Sequence, residues 1–438
     1  MGVLNQILQF FLSISILIIL HELGHYAFAR IFKTRVEKFY LFFNPWFEIF
    51  KFKRGDTEYG LGWLPLGGYV KISGMIDESM DTKQMQTPPQ PYEYRAKPVW
   101  QRFLIISGGV LVNFILAIVI YSFVLYTWGE EYLPTKNLTY GVSCEPLAKE
   151  MGFEDGDKIL LVNGKEVESF THIVLTIVLE NARVVTVERE GKVIDLPISE
   201  DFIPHLLKSS MILQPRFPLE LGYIAEGSAA EKAGFKLEDK LVAINGQEAK
   251  FFDEFRSAML ASKNQTVSVT MERDGELVEI LVDVPETSMV GIGPKGLINY
   301  FELKRLDYNF IQAIPAGINR GARMISSYLK QLKLVFTPKT KAYESVGGFI
   351  AIGSIFPKTW DWQVFWDFTA LISIMLAIMN MLPIPALDGG HMLFLVYEMV
   401  SGRKPGEKFM EYAQIAGMIF ILTLVVVVNA NDIIKLFN

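Results

Sequence analysis

The sequence predicts a multi-pass α-helical membrane protein with four transmembrane helices, a membrane-associated β-hairpin and two inserted α+β domains. The first observation behind this prediction is the number of long apolar segments. A helix needs about 20 apolar residues to cross a bilayer. Four segments meet or approach that length, at residues 3–29, 103–128, about 364–384 and about 415–430. The last is short unless it begins near residue 409, and a buried core helix is the alternative for it.

The second observation is an internal repeat between the second and third apolar segments. Residues 147–153 recur at 229–235, which is 82 positions later (229 − 147). In each copy a predicted strand, Lys158–Val162 or Lys240–Ile244, is followed by an Asn-Gly turn, and a later strand, Val184–Arg189 or Thr266–Arg273, ends at a second turn. A repeat of this kind predicts two compact α+β modules of about 80 residues each.

Composition narrows the class of protein. Half of the 438 residues are hydrophobic, which is high for a soluble protein, and the formal net charge of −6 does not suggest nucleic acid as a partner. The single cysteine, Cys144, excludes an intrachain disulfide and is interpreted as structural or incidental. The N-terminus has no basic region and no small-residue cleavage site, so we interpret the first apolar segment as a retained membrane helix.

The first apolar segment contains the motif His21-Glu22-Leu23-Gly24-His25. Two histidines four positions apart lie on one face of a helix, one turn apart. Imidazoles at that spacing can bind one Zn²⁺, and Glu22 beside them can act as general base. The structural alternative is two buried histidines bonded to backbone carbonyls. Because ionisable groups inside a membrane span usually serve a function, we favour the zinc site.

The positive charges of the short loops predict the orientation of the spans. Residues 30–102 include twelve Lys and Arg, and three more lie between positions 403 and 408. Both loops are therefore expected in the cytoplasm, and the repeat region is expected outside. His25 and His21 precede Arg30 by five and nine residues (30 − 25 and 30 − 21). At 1.5 Å per residue, the metal would lie roughly 7–14 Å inside the cytoplasmic boundary.

Between the first two spans, Thr57–Ile72 is apolar, aromatic and rich in glycine. It predicts short strands joined by a turn near residues 65–68. From the pattern alone, the hairpin either lies on the cytoplasmic face or dips toward the metal and pairs with an extended substrate. The polar stretch 77–94 is expected to be an exposed connection. The hairpin residues expected to contact substrate are Leu61, Gly62, Trp63, Gly67, Gly68 and Tyr69.

Taken together, these features resemble a known family. The two modules resemble PDZ domains, which bind extended peptide ends. With the HELGH sequence and the four spans, the chain resembles the site-2 protease family of intramembrane zinc metalloproteases, in its bacterial form with tandem PDZ domains. The resemblance covers nearly the whole chain. A second signature of the family is present at residues 380–389, which read NMLPIPALDG.

The resemblance implies further site residues. The second signature supplies the family's third zinc ligand, which corresponds to Asp388, and Asn380 is implied to hold substrate backbone or a developing oxyanion. Pro383 and Pro385 are expected to end the third helix, which puts Asp388 at a depth like that of His25. The alternatives are a turn-forming role for Asp388 and interhelical packing for Asn380.

The resemblance also bears on the interpretation of three other features. Residues 67–70 resemble the family's membrane-reentrant hairpin, which favours the substrate-pairing interpretation. Asn113 matches an asparagine of the family's second span, and His391 is interpreted as structural. The implied function is zinc-dependent cleavage of transmembrane segments of single-pass proteins in the bacterial inner membrane, during regulated proteolysis in a stress response. The implied substrates are membrane-anchored anti-sigma factors already shortened outside, and remnant signal peptides.

Two rival functions come from other classes. One is a non-enzymatic scaffold or pseudoprotease that displays PDZ-like domains to peptide C-termini, and the other is a metal transporter. The intact Glu22 argues against both. The modules themselves have two open roles, as a size filter for substrates or as peptide binders through Leu221-Gly222-Tyr223.

The predicted domain boundaries follow the apolar segments and the repeat. Residues 1–128 hold the first two helices and the hairpin at about 50–75, 129–215 and 216–300 form the modules, 301–363 are a linker, and 364–438 hold the last two helices. In the linker, residues 309–334 are expected to be helical. This helix is either an amphipathic helix on the outer membrane surface or an ordinary linker helix.

Overall fold

The computed structural model describes residues 2–75, 88–209 and 211–437. The chain divides into two compact units. We call the first the helical unit, which consists of Met1–Gly129, Asp307–Lys330 and Val346–Asn438. We call the second the sheet unit, which consists of Glu130–Leu306 and Gln331–Ser345. Most of the polar connection expected at residues 77–94 lies outside the described residues.

The N-terminal part of the helical unit has two long helices separated by two strands: α1 (Gly2–Ile31), β1 (Val36–Arg54), β2 (Thr57–Ile72) and α2 (Val99–Trp128). Both helices have 30 residues and are apolar enough to cross a membrane, as predicted. α1 leaves Val3, Leu4 and Leu8 about half exposed or more. An apolar helix that keeps such side chains uncovered is suited to lipid rather than to water.

The strand pair β1–β2 differs from the predicted hairpin in extent. Thr57–Ile72 is extended, but its partner is Val36–Arg54, so the predicted range of about 50–75 begins too late. Leu41 of β1 lies opposite both Leu61 and Gly68 of β2. β2 therefore pairs with both edges of the first half of β1. The residues of β2 before the predicted turn at 65–68 lie along one edge, and the residues after it lie along the other. The pairing leaves residues 68–72 as an outer segment of this small sheet.

The sheet unit begins with the strand β3 and the first repeat. The first repeat and its flanking strand comprise β3 (Glu130–Tyr132), β4 (Val142–Cys144), α3 (Pro146–Glu150), β5 (Lys158–Val162), α4 (Ile173–Leu179), β6 (Val184–Arg189), β7 (Lys192–Pro197), α5 (Ile203–Lys208) and β8 (Leu213–Pro215). Strands β5, β6 and β7 form one antiparallel sheet, and β4 pairs with β8. Their apolar side chains enclose one buried core.

The second repeat has a core of its own. Its elements are β9 (Leu221–Ile224), α6 (Ala229–Ala233), β10 (Lys240–Ile244), β11 (Gln247–Glu248), α7 (Phe252–Ala261), β12 (Thr266–Arg273), β13 (Glu276–Asp283) and β14 (Ile292–Pro294). The sheet order is β11-β10-β12-β13, and β9 pairs with β14. The next strand, β15 (Lys304–Leu306), pairs with β3, so the two ends of the inserted region 130–306 lie side by side.

Equivalent ion pairs occur in the two repeats. Arg189 donates two hydrogen bonds to the buried Asp157, at 2.7 and 2.8 Å. Arg273 donates two to the buried Asp239, both at 2.7 Å. A buried carboxylate needs such a partner, and the bidentate geometry fixes the β-hairpin against the preceding turn. The repeat found in the sequence thus corresponds to a repeated structural unit.

The C-terminal part has five helices: α8 (Phe310–Val335), α9 (Phe349–Ser354), α10 (Trp362–Met381), α11 (Asp388–Ser401) and α12 (Glu407–Phe437). The predicted third span extended to residue 384, but α10 ends at Met381 because Pro383 cannot continue a helix. α12 is longer than predicted, and α11 was not predicted. Helices α10 and α12 complete the set of four candidate membrane spans.

Helix α2 is the centre of the helical unit, where it packs against α1, α10 and α11. α1 and α2 approach closely at Gly24 and Gly108. A Cβ on Gly24 would lie only 2.3 Å from the Gly108 carbonyl oxygen, so this crossing requires glycine. Within the same unit, the Arg320 guanidinium of α8 pairs with Asp367 of α10 at 3.0 Å. The close α1–α2 crossing matters for function because α1 carries the HELGH motif.

Candidate metal centre

Three side chains from two distant parts of the sequence converge in the helical unit. His21 and His25 are one turn apart on α1, and Asp388 is the first residue of α11. The Oδ2 atom of Asp388 lies 3.3 Å from the Nε2 atoms of both histidines, and these two Nε2 atoms are 3.3 Å apart. His391 does not belong to this group of potential ligands.

The triangle of ligand atoms has the dimensions of a zinc site. Zn–N and Zn–O bonds of about 2.0–2.1 Å in a tetrahedron give ligand-to-ligand distances of roughly 3.3–3.4 Å. The Oδ2 atom of Asp388 is also buried and has no hydrogen-bond partner among the described residues. A buried carboxylate oxygen without a donor is costly, and a metal ion satisfies it. The residues present therefore fit a zinc ion with one tetrahedral position left open.

The outer ring nitrogens of both histidines also have neighbours. Nδ1 of His25 lies 2.9 Å from the Ile105 carbonyl oxygen, to which it donates, so Nε2 is left for the metal. Nδ1 of His21 lies 3.2 Å from the side-chain amide of Asn113. Asn113 is fully buried and its Oδ1 has no partner in the described part of the chain, so turning the amide over gives His21 Nδ1–H an acceptor. The sequence analysis matched Asn113 to the family without giving it a role, and the structure shows that its side chain contacts His21.

Gly109 has a role at the site that sequence reasoning missed. A Cβ at this position would lie 2.5 Å from His25 Nε2 and 2.6 Å from a ring carbon of His21. Only glycine lets α2 pass this close behind the two imidazoles. The available signal was the spacing of Gly109 and Asn113, four positions apart on one helix face.

Asp388 is positioned by a tight turn between α10 and α11. Proline ends α10, and α11 then begins at Asp388 itself. A Cβ on Gly389 would lie 2.2 Å from the Leu382 carbonyl oxygen, and a Cβ on Gly390 would lie 2.5 Å from that of Ile384. The two glycines therefore allow α11 to fold back against the end of α10. Without this turn Asp388 would not reach the histidines.

A buried ion pair fixes the rest of α11. Arg102 of α2 donates a hydrogen bond to Glu398 of α11 at 2.7 Å, and both residues are more than nine-tenths buried. Arg102 also donates to the Lys97 carbonyl oxygen at 3.1 Å. Since α11 begins at Asp388, this pair ties the helix of the third ligand to the helix behind the histidines. The sequence analysis did not identify either partner.

The predicted substrate-binding residues separate into two groups. Asn380 Nδ2 lies 3.4 Å from His21 Nε2, and a Cβ on Gly68 would lie 3.3 Å from Glu22 Cγ, so both positions adjoin the centre. The others make contacts within the strand pair. Trp63 Nε1 donates to the Pro45 carbonyl oxygen at 2.8 Å, and the Tyr69 hydroxyl donates to Asn44 Oδ1 at 3.0 Å.

Leu61, Gly62 and Gly67 also lie within the strand pair. Leu61 pairs with Leu41 and Phe50. Gly62 lies against the Phe43 backbone and Gly67 against the Phe43 ring. None of these contacts involves a metal ligand. Gly68 is thus the hairpin residue that links the strand pair to Glu22.

An HExxH helix and a distant aspartate that together could hold zinc, with four apolar helices among the described residues, are the features of an intramembrane zinc metalloprotease. The chain belongs to peptidase family M50, whose family model matches residues 9–424. It is 28% identical over 452 residues to the regulator of sigma E protease of Haemophilus influenzae, covering 98% of each chain. It is 27% identical over 464 residues to protease RseP of Yersinia pestis, covering 100% of each chain.

Proposed function

We propose that His21, His25 and Asp388 bind the catalytic zinc and that Glu22 is the general base. The observation that carries the assignment is the triangle of three ligand atoms, each 3.3 Å from the others. Bound there, zinc would polarise the scissile carbonyl and make a water molecule more acidic. The Glu22 carboxylate accepts a proton from the attacking water and returns it to the leaving amine nitrogen.

Asn380 is proposed to stabilise the reacting carbonyl. Its amide nitrogen lies 3.4 Å from His21 Nε2, on the metal side of that ring. An amide N–H at this position can donate a hydrogen bond to the oxygen that gains negative charge during attack. The substrate must be unwound there, because the carbonyls of an intact helix are already bonded.

Residues 68–72 of β2 are proposed to pair with the unwound substrate. They form an outer segment of the small sheet, and Gly68 adjoins Glu22. An extended peptide added to this edge would lie next to the general base. The membrane association of the strand pair, supported by the exposed Trp46 and Phe47 side chains, belongs to the same proposal.

Proline substitution tests the edge-pairing proposal. Tyr69→Pro and Val70→Pro remove successive backbone donors, and one of them faces the open edge because N–H groups alternate along a strand. We expect that variant to lose most cleavage and to keep zinc, as measured by turnover and metal content. Phe52→Pro, in the second half of β1, which pairs with residues 57–62 and not with Gly68, is the matched control. Equal turnover in all three variants would contradict substrate pairing.

The four apolar helices and the relatives of this chain indicate that the protein lies in the inner membrane. The positive-inside asymmetry supports a finer proposal, in which the sheet unit faces the periplasm and the metal lies near the cytoplasmic side. Gln90, an exposed residue of the basic loop within the described part of the chain, is a suitable probe of that loop.

Cysteine labelling tests this orientation without a cysteine-free background. Burial raises the pKa of the Cys144 thiol to about 12, so at pH 8 it is protonated, and its side chain is only 6% exposed. We expect Cys144 to stay unlabelled, Gln90→Cys to label from the cytoplasm and Lys192→Cys to label from outside, with a membrane-impermeant maleimide as the probe. Labelling of Lys192→Cys only after the cytoplasm is opened would reverse the topology.

The sheet unit is proposed to contain two PDZ-like modules that act mainly as a size filter. The inserted region 130–306 follows α2, which contributes Asn113, and precedes α10, which contributes Asn380. Substrates with a large outer domain would be excluded, and shortened ones admitted. The natural substrates proposed are therefore trimmed membrane-anchored anti-sigma factors and remnant signal peptides. Capture of peptide C-termini near Gly222 is the alternative role of the modules.

One reconstitution experiment tests the protease and the filter together. The purified chain is given two model substrates with the same transmembrane segment, one short outside and one with a folded outer domain. We expect cleavage of the short substrate only, its loss with a zinc chelator and its recovery with added zinc. Chelator-resistant cleavage would contradict the metal mechanism and absence of cleavage would favour a scaffold. Equal cleavage of both substrates would contradict the filter alone.

A further inference from the structure

A basic cavity of about 350 Å³ lies in the helical unit where α1 ends. Its volume falls in the range of small-molecule sites, about 300–1,000 Å³. The described residues of the lining carry three cationic groups and one carboxylate, a formal charge of +2 (3 − 1). The residues that line it are Arg30, Lys33, Thr34, Arg35, Asp56 and Tyr92. None of the metal ligands belongs to this cavity.

The backbone around the cavity is already hydrogen-bonded. Lys33 has a positive φ of 56° and turns the chain out of α1. The Thr34 N–H then donates to the Ala29 carbonyl oxygen at 2.8 Å, and the Arg35 N–H donates to the Tyr92 carbonyl oxygen at 2.9 Å. The hydrogen-bonding capacity that remains belongs to side chains.

Two of these side chains lack partners. Thr34 is 1% exposed, yet its hydroxyl has no hydrogen-bond partner among the described residues. The Nε–H of Arg35 is likewise buried without an acceptor. Arg30, Lys33 and Arg35 form no ion pair in the part of the chain that the structure describes. Buried donors without acceptors are costly, so an anion that accepts from an arginine and a hydroxyl would suit this cavity.

The residues next to the cavity indicate the chemical class of this anion. Ile31, at the end of the apolar helix, is 66% exposed. Trp100 is 54% exposed, and its ring packs edge-on against Phe32 with centroids 5.3 Å apart. Tryptophan is enriched where a membrane meets water, and exposed apolar side chains there contact acyl chains. A basic cavity beside such a surface is suited to a phospholipid headgroup.

We propose that this cavity binds the phosphate of an anionic phospholipid. Arg35 and Thr34 donate to the phosphate oxygens, and Arg30 and Lys33 supply the remaining charge. Asp56 opposes a second anionic group, which favours a singly charged lipid such as phosphatidylglycerol. Arg30 lies on α1 five residues after His25 (30 − 25), so the bound lipid anchors the helix that carries the HELGH motif.

Lipid binding to the purified full chain tests this site directly. Phosphatidylglycerol is titrated into phosphatidylcholine–detergent micelles, and binding is followed by native mass spectrometry and by the melting temperature. We expect retained phosphatidylglycerol and a higher melting temperature. Arg35→Gln should weaken binding about tenfold, because it removes a charged hydrogen bond. Asp56→Asn should tighten binding, a gain that misfolding cannot produce. Lys53→Gln, an exposed lysine outside the cavity, should change nothing.

Several results would overturn the proposal. Equal loss in Lys53→Gln and Arg35→Gln would mean general surface attraction. Equal stabilisation by inorganic phosphate would assign the site to a soluble ion, and weaker binding in Asp56→Asn would assign it to a headgroup amine. Because binding is read without cleavage, these outcomes do not depend on the proposed catalytic roles.

Discussion

Glu22→Gln is expected to abolish measurable cleavage while leaving zinc bound. Glutamine keeps the size and hydrogen-bonding shape of the side chain but cannot accept the proton of the attacking water. General bases contribute about 10²–10⁴-fold to rate, so turnover should fall by at least that range. Metal analysis of the purified variant and a cleavage assay on a short transmembrane substrate measure the two effects separately.

Two sets of variants complete this test. His21→Ala, His25→Ala and Asp388→Ala should each lose zinc as well as activity, because each removes one of three converging ligand atoms. Glu411→Gln makes the same chemical change on the exposed side of α12 and should behave as wild type. Full activity in Glu22→Gln would exclude the proposed mechanism. Loss of zinc in that variant would instead assign Glu22 to holding the metal.

Arg102→Met is also expected to have a large effect, although Arg102 does not belong to the metal-binding group. The substitution leaves Glu398 buried without its partner, 2.7 Å from where the guanidinium was. Breaking a buried ion pair by removing one member costs about 3–5 kcal/mol. Because Glu398 and Asp388 share α11, the third zinc ligand should also become less well positioned. Residues that orient a ligand typically change metal affinity about 10–100-fold.

A double variant separates this positioning role from simple loss of packing. Removing both charges with Arg102→Met and Glu398→Leu leaves no unpaired buried charge, so it should recover most of the melting temperature. Zinc affinity, measured by competition with a chelator, should recover less, because the tie between α2 and α11 is still absent. Lys51→Met, which removes an exposed ion pair on β1, is the control and should change neither quantity. Wild-type zinc affinity in Arg102→Met would refute the positioning role.

Features that depend on local pattern were predictable from the sequence. The four apolar segments correspond to helices because hydrophobic length alone decides whether a segment can cross a bilayer. The strands of the two repeats form at the predicted bounds, since each is a short apolar run closed by Asn-Gly or a similar turn. The HELGH spacing places both histidines on one face of α1 for the same local reason.

The resemblance to a family indicated a site residue that no local pattern in the sequence identifies. Asp388 follows the histidines at a great distance along the chain, and no periodicity links the two. The family's second signature implied Asp388 as the third ligand, and the structure brings Asp388 Oδ2 to 3.3 Å from the Nε2 atoms of both histidines. The exact end of α10 and the whole of α11 were missed, because the apolar run continues through the prolines that break it.

Only the tertiary structure decided which residues support the metal centre. Gly109 is needed because α2 passes behind the histidines, and Arg102 pairs with Glu398 because α11 packs on α2. β1 was missed as the partner of β2, since its run of aromatic residues shows neither strict alternation nor a helical period. The sequence by itself determined the spans, the repeats and the histidine pair, which depend on neighbours along the chain. Contacts between distant segments leave no local pattern, so the folded packing alone determined the support of Asp388 and the cavity at the end of α1.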